Sequence, residues 1–537
     1  MDYDIIFVTG EIFFDHPLSG AAILKRLLEK YGYTVGIIEQ PQSEEEIKQL
    51  GKPKLFFAVS SGSIDSMVRN YTPLLKKRSE DKHLNYTENI PDRAVTVYSN
   101  WIKKYYKDSI LVLGGTEASL RRFTHFDYWS NKIRRPISFD TRADLVINGY
   151  AEKQILDIAN RIKNNQPLDK IPGTSIISKE VPKDFIELPT FEDVTESKEK
   201  YCDMQMMFDI DKNLAQKIDN RYVLQHKSPR YTPKDLDEYY SLPFSRDVPK
   251  ELRGFQFSVV THRGCIGDCN FCSLTLISGK RIISRSEESI LKEIQEMIKH
   301  PHFRGNVDDL GGPSANMYGM DCDKCDLKNC LKCAKLDRSM TRYINLLKEA
   351  RQIPGIKNVY IRSGIRHDLV NEEFIKELSH HIYDTLRIAP EHVNKEVLKL
   401  MNKDNGDYKE FVEKFKKYSN KEVSYYFMTA HPGSSMKEAK QLSKIVKGMK
   451  NPEAVQVFTP TPMTVSTAMY YTGMDPKTKK KIHVPRTFQE KKEQKRLFLS
   501  DKPDSKNYNK HKQDNPNSKF SKNKNFKFKN KNKFQRK

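Results

Sequence analysis

Over roughly the first 180 residues, short apolar runs alternate with longer stretches whose apolar positions recur at helical spacing. Ile5–Val8, Val35–Ile38, Leu55–Val59, Ile110–Leu113 and Leu145–Ile147 read as strands; Ala21–Tyr31, Arg93–Tyr106 and Lys153–Ile162 read as helices. Apolar runs without polar alternation suit strands covered on both faces, and the intervening helices supply that cover. A doubly wound α/β domain is therefore expected over residues 1–185. Gly114-Gly115 and Gly149 directly follow predicted strands. That is where an open α/β sheet keeps its ligand crevice, although the same glycines also suit plain tight turns.

Between 186 and 250 the rhythm is lost. The segment is polar, with many acids and prolines, and reads as a connector with some helix. Alternation resumes from 251, with strand candidates at Phe257–Val260, Val307–Leu310, Val359–Ile361, Leu386–Ile388, Ser424–Met428 and Val455–Phe458. Helical stretches at Glu287–Lys299, Ser339–Arg351, Glu372–Leu378 and Lys437–Met449 separate several of them. Six β/α units over 251–476 predict a partial (β/α)6 barrel whose active site lies at the C-terminal ends of its strands.

Beyond Asp501 the chain has no Ala, Val, Ile, Leu or Met. Such a segment cannot bury a core, and residues 477–537 are expected to form a disordered basic tail. Those residues hold 22 Lys and Arg against 5 Asp and Glu, so most of the net charge of +23 is theirs. The length of 537 residues suggests about three domains. No apolar run approaches the ~18–20 residues that span a membrane. The acids at Asp2 and Asp4 stand where an export signal would carry Lys or Arg, so the cytoplasm is the expected location.

In that reducing compartment eight cysteines are not a disulfide framework. Cys202 stands alone and reads as a packed small hydrophobe. The other seven lie in two tight groups, which points to metal. The first group is Thr261-His-Arg-Gly-Cys265-Ile-Gly-Asp-Cys269-Asn-Phe-Cys272, directly after the first predicted barrel strand. Three thiolates on one loop can hold three corners of a cubane cluster and leave one iron without a local protein ligand. Structural zinc needs four ligands, usually as pairs, and fits this trio poorly. The second group, Cys322-x2-Cys325-x4-Cys330-x2-Cys333, lies in a Cys-rich insertion at 320–335. Its four thiolates suit either zinc or a second Fe–S cluster.

The trio resembles the signature of the radical S-adenosylmethionine (SAM) superfamily. That resemblance implies a [4Fe-4S] cluster on Cys265, Cys269 and Cys272, with SAM's amino and carboxylate groups on the open iron. Reductive cleavage of SAM would yield a 5′-deoxyadenosyl radical that takes a hydrogen from the substrate, and the electron would come from a ferredoxin or flavodoxin. It also implies SAM-binding roles for Phe271, for Gly311 and Gly312 at the end of the second strand, and for Arg362 and Ser363 at the end of the third. Related enzymes carry an acid after the two glycines; Pro313 stands there in this chain, so the carboxylate role does not carry over. Glu391 and His392, after the fourth strand, are candidates for proton transfer near the substrate.

Longer strings narrow the resemblance. Gly114-Gly-Thr-Glu-Ala-Ser-Leu-Arg-Arg122, His125-Phe-Asp-Tyr-Trp-Ser130, Leu242-Pro-Phe with Arg246, Asp309-Leu-Gly-Gly-Pro-Ser-Ala-Asn-Met-Tyr318, Arg387-Ile-Ala-Pro-Glu-His392, His431-Pro-Gly433 and Gln456-Val-Phe-Thr-Pro-Thr-Pro462 resemble the YgiQ-type radical SAM family. The likeness spans residues 1 to about 475. The N-terminal domain also looks like the cobalamin-binding fold of some radical SAM enzymes. The usual Asp-x-His-x-x-Gly is altered here to Asp15-His16-Pro17-Leu-Ser-Gly20, which misplaces the axial histidine. Cobalamin held without a protein histidine and a scaffold kept for substrate binding both remain open. His125, Asp127, Tyr128 and Trp129 read either as pocket lining or as half-buried packing.

Substrate class is less legible. Tyr508, Phe520, Phe526, Phe528 and Phe534 are spaced among the tail's lysines, a pattern that can attract phosphates and stack on bases. RNA or a ribosome-associated protein is therefore one expected substrate, and a peptide or small molecule beneath the N-terminal domain is another. A zinc-dependent nucleic-acid-binding protein without catalysis is the alternative from a different class.

Overall fold

The structure is a computed structural model, and it describes residues 2–78, 90–323, 325, 330–403, 406–449 and 452–499. All five strands expected in the N-terminal part are present: β1 (Ile5–Thr9), β2 (Val35–Glu39), β3 (Phe56–Ser60), β4 (Ile110–Leu113) and β5 (Leu145–Ile147). They pair in parallel in the order β2-β1-β3-β4-β5. Both faces are covered, as the unbroken apolar runs require. Ile6 and Val8 of β1 pack with Tyr98 and Ile102 of helix α1 (Ala94–Tyr105), while Ile5 and Phe7 turn to Leu28, Ile155 and Ile158 on the opposite face. The strand order reverses at β1/β3, where such sheets open a crevice beyond the strands' C-terminal ends.

The segment expected to be a connector is instead part of this sheet. β6 (Thr174–Ser178) joins antiparallel to β5, and β7 (Ile186–Leu188), β8 (Leu214–Ile218) and β9 (Arg221–Gln225) complete nine strands ending β6-β9-β8-β7. Buried polar residues hide these strands from a hydrophobicity pattern. Gln216 Oε1 accepts from Thr124 N at 2.9 Å, and Gln225 Oε1 accepts from Arg122 Nε at 2.7 Å. A buried amide whose hydrogen bonds are made is tolerated where an apolar side chain would be expected.

The second half carries all six expected strands: β10 (Ser258–Val260), β11 (Asp309–Gly311, continuing Asn306–Val307), β12 (Asn358–Val359), β13 (Thr385–Glu391), β14 (Glu422–Thr429) and β15 (Pro452–Val457). Neighbours in the chain run parallel, and an Ile365–Ile388 bridge links the third and fourth units. Among the described residues β15 does not pair with β10, so the barrel is open. No helix of the described residues is long and apolar enough to cross a membrane.

The expected tail begins later than Lys477. Helix α2 (Phe488–Arg496) is folded against the rest, although its sequence, FQEKKEQKR, reads as solvated. Its inner face is polar and satisfied. Lys491 Nζ donates to Tyr128 Oη at 2.9 Å and to Tyr470 Oη at 3.0 Å. Gln494 Oε1 accepts from Thr429 Oγ1 and Ala430 N at the end of β14, while its Nε2 donates to Ser434 O. The five tail aromatics lie outside the described residues.

Candidate active site

Backbone demands shape the loop after β10. His262 and Arg263 pair antiparallel with Ile283 and Ser284, and the chain then turns at Gly264 with φ +87°. A Cβ at Gly264 would lie 1.9 Å from Arg281 O, so only glycine fits. Asn270 fastens the far side of the loop. Its Nδ2 and N donate to Leu400 O and Met401 O at 2.8 and 2.9 Å, and its carbonyl accepts from Ser466 N at 2.9 Å.

Between these anchors stand Cys265, Cys269 and Cys272, all reduced and partly buried. Burial, with the neighbouring thiols, pushes Cys265 up and Cys272 up to about 12. Donors are aimed at the sulfurs: Gly267 N at Cys265 Sγ (3.4 Å), Leu274 N at Cys272 Sγ (3.4 Å) and Arg366 Nη1 at Cys269 Sγ (3.8 Å). Three crowded, partly buried thiols that already receive N–H groups fit thiolate ligands of an Fe–S cluster, whose sulfurs are tuned by such hydrogen bonds. No three His, Cys, Asp or Glu among the described residues gather as they would around a single metal ion. A cubane does not ask this, because each thiolate takes a different iron.

Two cations back the loop, Arg366 buried and Lys403 half-buried, and neither was anticipated. Arg366 also forms a bidentate pair with Asp368 at 3.0 and 2.9 Å. Lys403 is paired to Glu391 at 3.1 Å, and its charge reaches Cys269. No spacing rule connects them to the loop, because Arg366 lies 97 residues beyond Cys269.

Cys272 opens into a cavity of about 820 Å³ between the barrel and the C-terminal ends of β1, β3, β4 and β5. Of the sequence candidates, Cys272, Gly311, Gly312 and Ser363 line it. A Cβ at Gly312 would lie 2.5 Å from the His262 ring, and one at Gly311 would lie 2.8 Å from Ser363 Oγ, so a larger residue at either position would displace these side chains. His262 and Asp309, missed in the sequence, line the same wall. His262 is fully buried with Nε2 unpartnered, and burial lowers its pKa to about 3. Asp309 is raised by burial and accepts from the backbone N–H groups of Arg362 and Ser363 at 2.8 and 3.1 Å.

Gly114, Gly115 and Gly149 belong to the opposite wall, so these glycines border a crevice rather than only turning the chain. Gly149 has φ +83°, and a Cβ there would sit 2.0 Å from Ile277 O, in the helix that follows Cys272. Near this seam Arg263 pairs with Glu152 at 2.7 Å, both buried, under the ring of Tyr150.

Other candidates lie elsewhere. The Arg362 guanidinium turns outward, donating to Gly254 O at 2.6 Å and stacking on Tyr360 and Tyr383; only its backbone N–H serves the site. Phe271 packs beside His431 and beneath Lys403. Glu391 is occupied by Lys403, and neither it nor His392 lines the cavity. His125, Asp127, Tyr128 and Trp129 are packing: Asp127 is bound by Arg93 at 3.1 Å, and Tyr128 Oη donates to Pro73 O at 2.6 Å. Cys202 is buried beside the Thr472 hydroxyl. His16 Nε2 meets Gln256 O at 2.8 Å and its Nδ1 accepts from Leu18 N, so neither nitrogen is available to a cobalt ion. The one histidine among the described cavity residues is His262, on the barrel side. The N-terminal wall therefore does not fit a cobalamin with a protein histidine as lower ligand.

A parallel sheet joined to an open barrel, with a three-cysteine loop at the cavity between them, defines a radical SAM enzyme. Residues 1–258 match the Radical SAM N-terminal family and residues 259–445 the Radical SAM superfamily, which works with a [4Fe-4S] cluster and SAM. Residues 453–514 match a domain of unknown function, DUF3362. More narrowly, the chain belongs to the UPF0313, or YgiQ-type, family. It is 43% identical to the UPF0313 protein MJ1155 of Methanocaldococcus jannaschii, over 93% of this chain and 89% of that protein. It is 38% identical to FN0734 of Fusobacterium nucleatum, over 94% and 97%. The fold is shared with the radical SAM methyltransferase TsrM of Kitasatospora setae, solved with cobalamin and a [4Fe-4S] cluster. There the TM-score is 0.52 at 14% identity, covering 87% of this chain and 77% of TsrM.

Proposed function

We propose that this chain cleaves SAM reductively at the Cys265/Cys269/Cys272 loop and acts on a substrate held in the 820 Å³ cavity. The observation that carries this reading is the trio itself: three crowded thiols with N–H donors on their sulfurs, one of them opening into that cavity. When bound, the [4Fe-4S] cluster supplies the electron and the coordination site with which SAM yields a 5′-deoxyadenosyl radical. The protein's part is position and the exclusion of water. Gly311 and Gly312 let SAM approach the strand-end backbone, Ser363 and Asp309 offer hydroxyl and carboxylate at its side, and Phe271 steadies the loop from behind. The volume suits a small molecule or a short segment of a larger one. A ferredoxin or flavodoxin in the cytoplasm is the reductant this chemistry calls for.

Anaerobic reconstitution with iron and sulfide, reduction with dithionite and addition of SAM is the test, read as 5′-deoxyadenosine. The wild type is expected to form it and Cys272→Ala to form none. A wild type that retains zinc and holds no iron would instead favour the zinc-dependent binding protein.

A further inference from the structure

The second cysteine group has no part in the function above. Its four members, Cys322, Cys325, Cys330 and Cys333, line one small cavity whose other walls are Ile266, Ile282, Met320 and Leu336. No histidine or carboxylate borders it among the described residues. A donor set of thiols alone in an apolar shell suits zinc or an Fe–S cluster.

Size separates the two. A tetrahedral zinc ion with sulfurs at ~2.3 Å draws those sulfurs to about 3.8 Å from one another, and nothing fits between them but the ion. Here the cavity that the thiols line keeps a free volume of about 20 Å³, so the four sulfurs are not closed on a single ion. Among the described residues no three potential ligands gather at single-ion spacing, in this group or in the trio. Neither group is closed on a single ion, and the trio is the loop proposed above to hold a [4Fe-4S] cluster. The four thiols are nonetheless neighbours: burial raises Cys330, and Cys325, Cys322 and Cys333 add to the effect.

One segment buttresses both groups. Gly279 O accepts from Cys265 N at 3.3 Å, Arg281 donates to Cys322 O at 2.6 Å, and Ser284 N donates to Asp321 Oδ1 at 2.6 Å. Ile266, adjacent to Cys265 in the chain, walls the second cavity. We propose that Cys322, Cys325, Cys330 and Cys333 bind a second [4Fe-4S] cluster, fully ligated by four thiolates and adjoining the first.

Iron, sulfide and zinc are measured on the anaerobically reconstituted full chain. Two [4Fe-4S] clusters give about eight irons and eight sulfides per chain. Cys322→Ser/Cys325→Ser is expected to hold about four. A triple variant, Cys265→Ala/Cys269→Ala/Cys272→Ala, is expected to keep about four irons with a cubane spectrum. Iron in the triple variant reports the second site alone, so the outcome does not depend on the SAM chemistry. A wild type with only about four irons overturns the proposal, whether or not one zinc accompanies them. So does a triple variant, folded by circular dichroism, that binds no iron.

Discussion

The sheet wall of the cavity sets apolar side chains, Leu18, Leu24, Val59 and Ile147 among them, beside Gly114, Gly115, Gly149, Ser60, Ser63 and Thr116; its carboxylates are Glu11 and Glu152. The barrel wall facing it carries Cys272, His262, Arg263, Asp309 and Ser363. One wall is mainly apolar or small, and its two carboxylates are already engaged, Glu11 by Ser63 and Glu152 by Arg263; the other is dense with groups that bind or titrate. Changes on the sheet wall should therefore alter what fits, whereas changes on the barrel wall should alter what the cofactors can do.

Acid should break both walls together, with the largest effect. Burial holds His16 and His125 on the sheet side neutral at pKa values of about 4, and it holds His431 of the barrel at about 3. Below pH 6.5 the unfolded chain binds protons that the native protein refuses, so stability is retained above 6.5 and falls as the pH drops towards 4. Each histidine contributes up to about 1.4 kcal/mol per pH unit in that window. The urea midpoint should drop steeply between pH 7 and pH 5, and a flat profile would refute the buried neutral state.

Gly149→Val should break the seam between the walls. Its side chain would collide with the Ile277 carbonyl from a left-handed backbone, at a cost of roughly 2–4 kcal/mol. Thermal unfolding should shift down and iron loading should fall with it; wild-type loading would mean that the walls are not coupled through this contact. Arg366→Gln addresses the barrel side alone. Removing a cation beside Cys269 disfavours electron gain, and Asp368 offsets part of that charge. The cluster midpoint potential should fall by tens of millivolts in an EPR-monitored titration, on the order expected for removal of a partly compensated charge beside one ligand sulfur. Iron content should stay constant. Smallest of all, Ser63→Ala removes a sheet-wall hydroxyl bonded to Glu11 and should change stability by no more than ~0.5 kcal/mol. An effect on cluster potential from this change would contradict the division between the walls.

What could be read in the sequence follows how each region satisfies its polar groups. β1 to β5 were legible because two-sided burial leaves unbroken apolar runs, and the cysteine trio because its spacing is itself the chemistry. β7 to β9 were not, because Gln216 and Gln225 occupy buried positions through hydrogen bonds that no periodicity records. Helix α2 was missed for the same reason at Lys491 and Gln494. Arg362 was placed correctly along the chain and wrongly in space: a strand end sends its backbone N–H to Asp309 and its side chain the opposite way. Arg366 and Lys403 reach the loop only through the folding of the barrel around it.

The amine of Lys491 joins Tyr470 to Tyr128, which lies 363 residues before the lysine in the chain. Synthesis proceeds from the N-terminus at ~5–20 residues per second, so Tyr128 leaves the ribosome about 20–70 s before the lysine that covers it. For most of that interval the aromatic face around Phe126 and Tyr128 lacks Tyr470, and for all of it Lys491. A nascent chain arrested before residue 488 should display that face to chaperones, and release of the finished polypeptide should withdraw it.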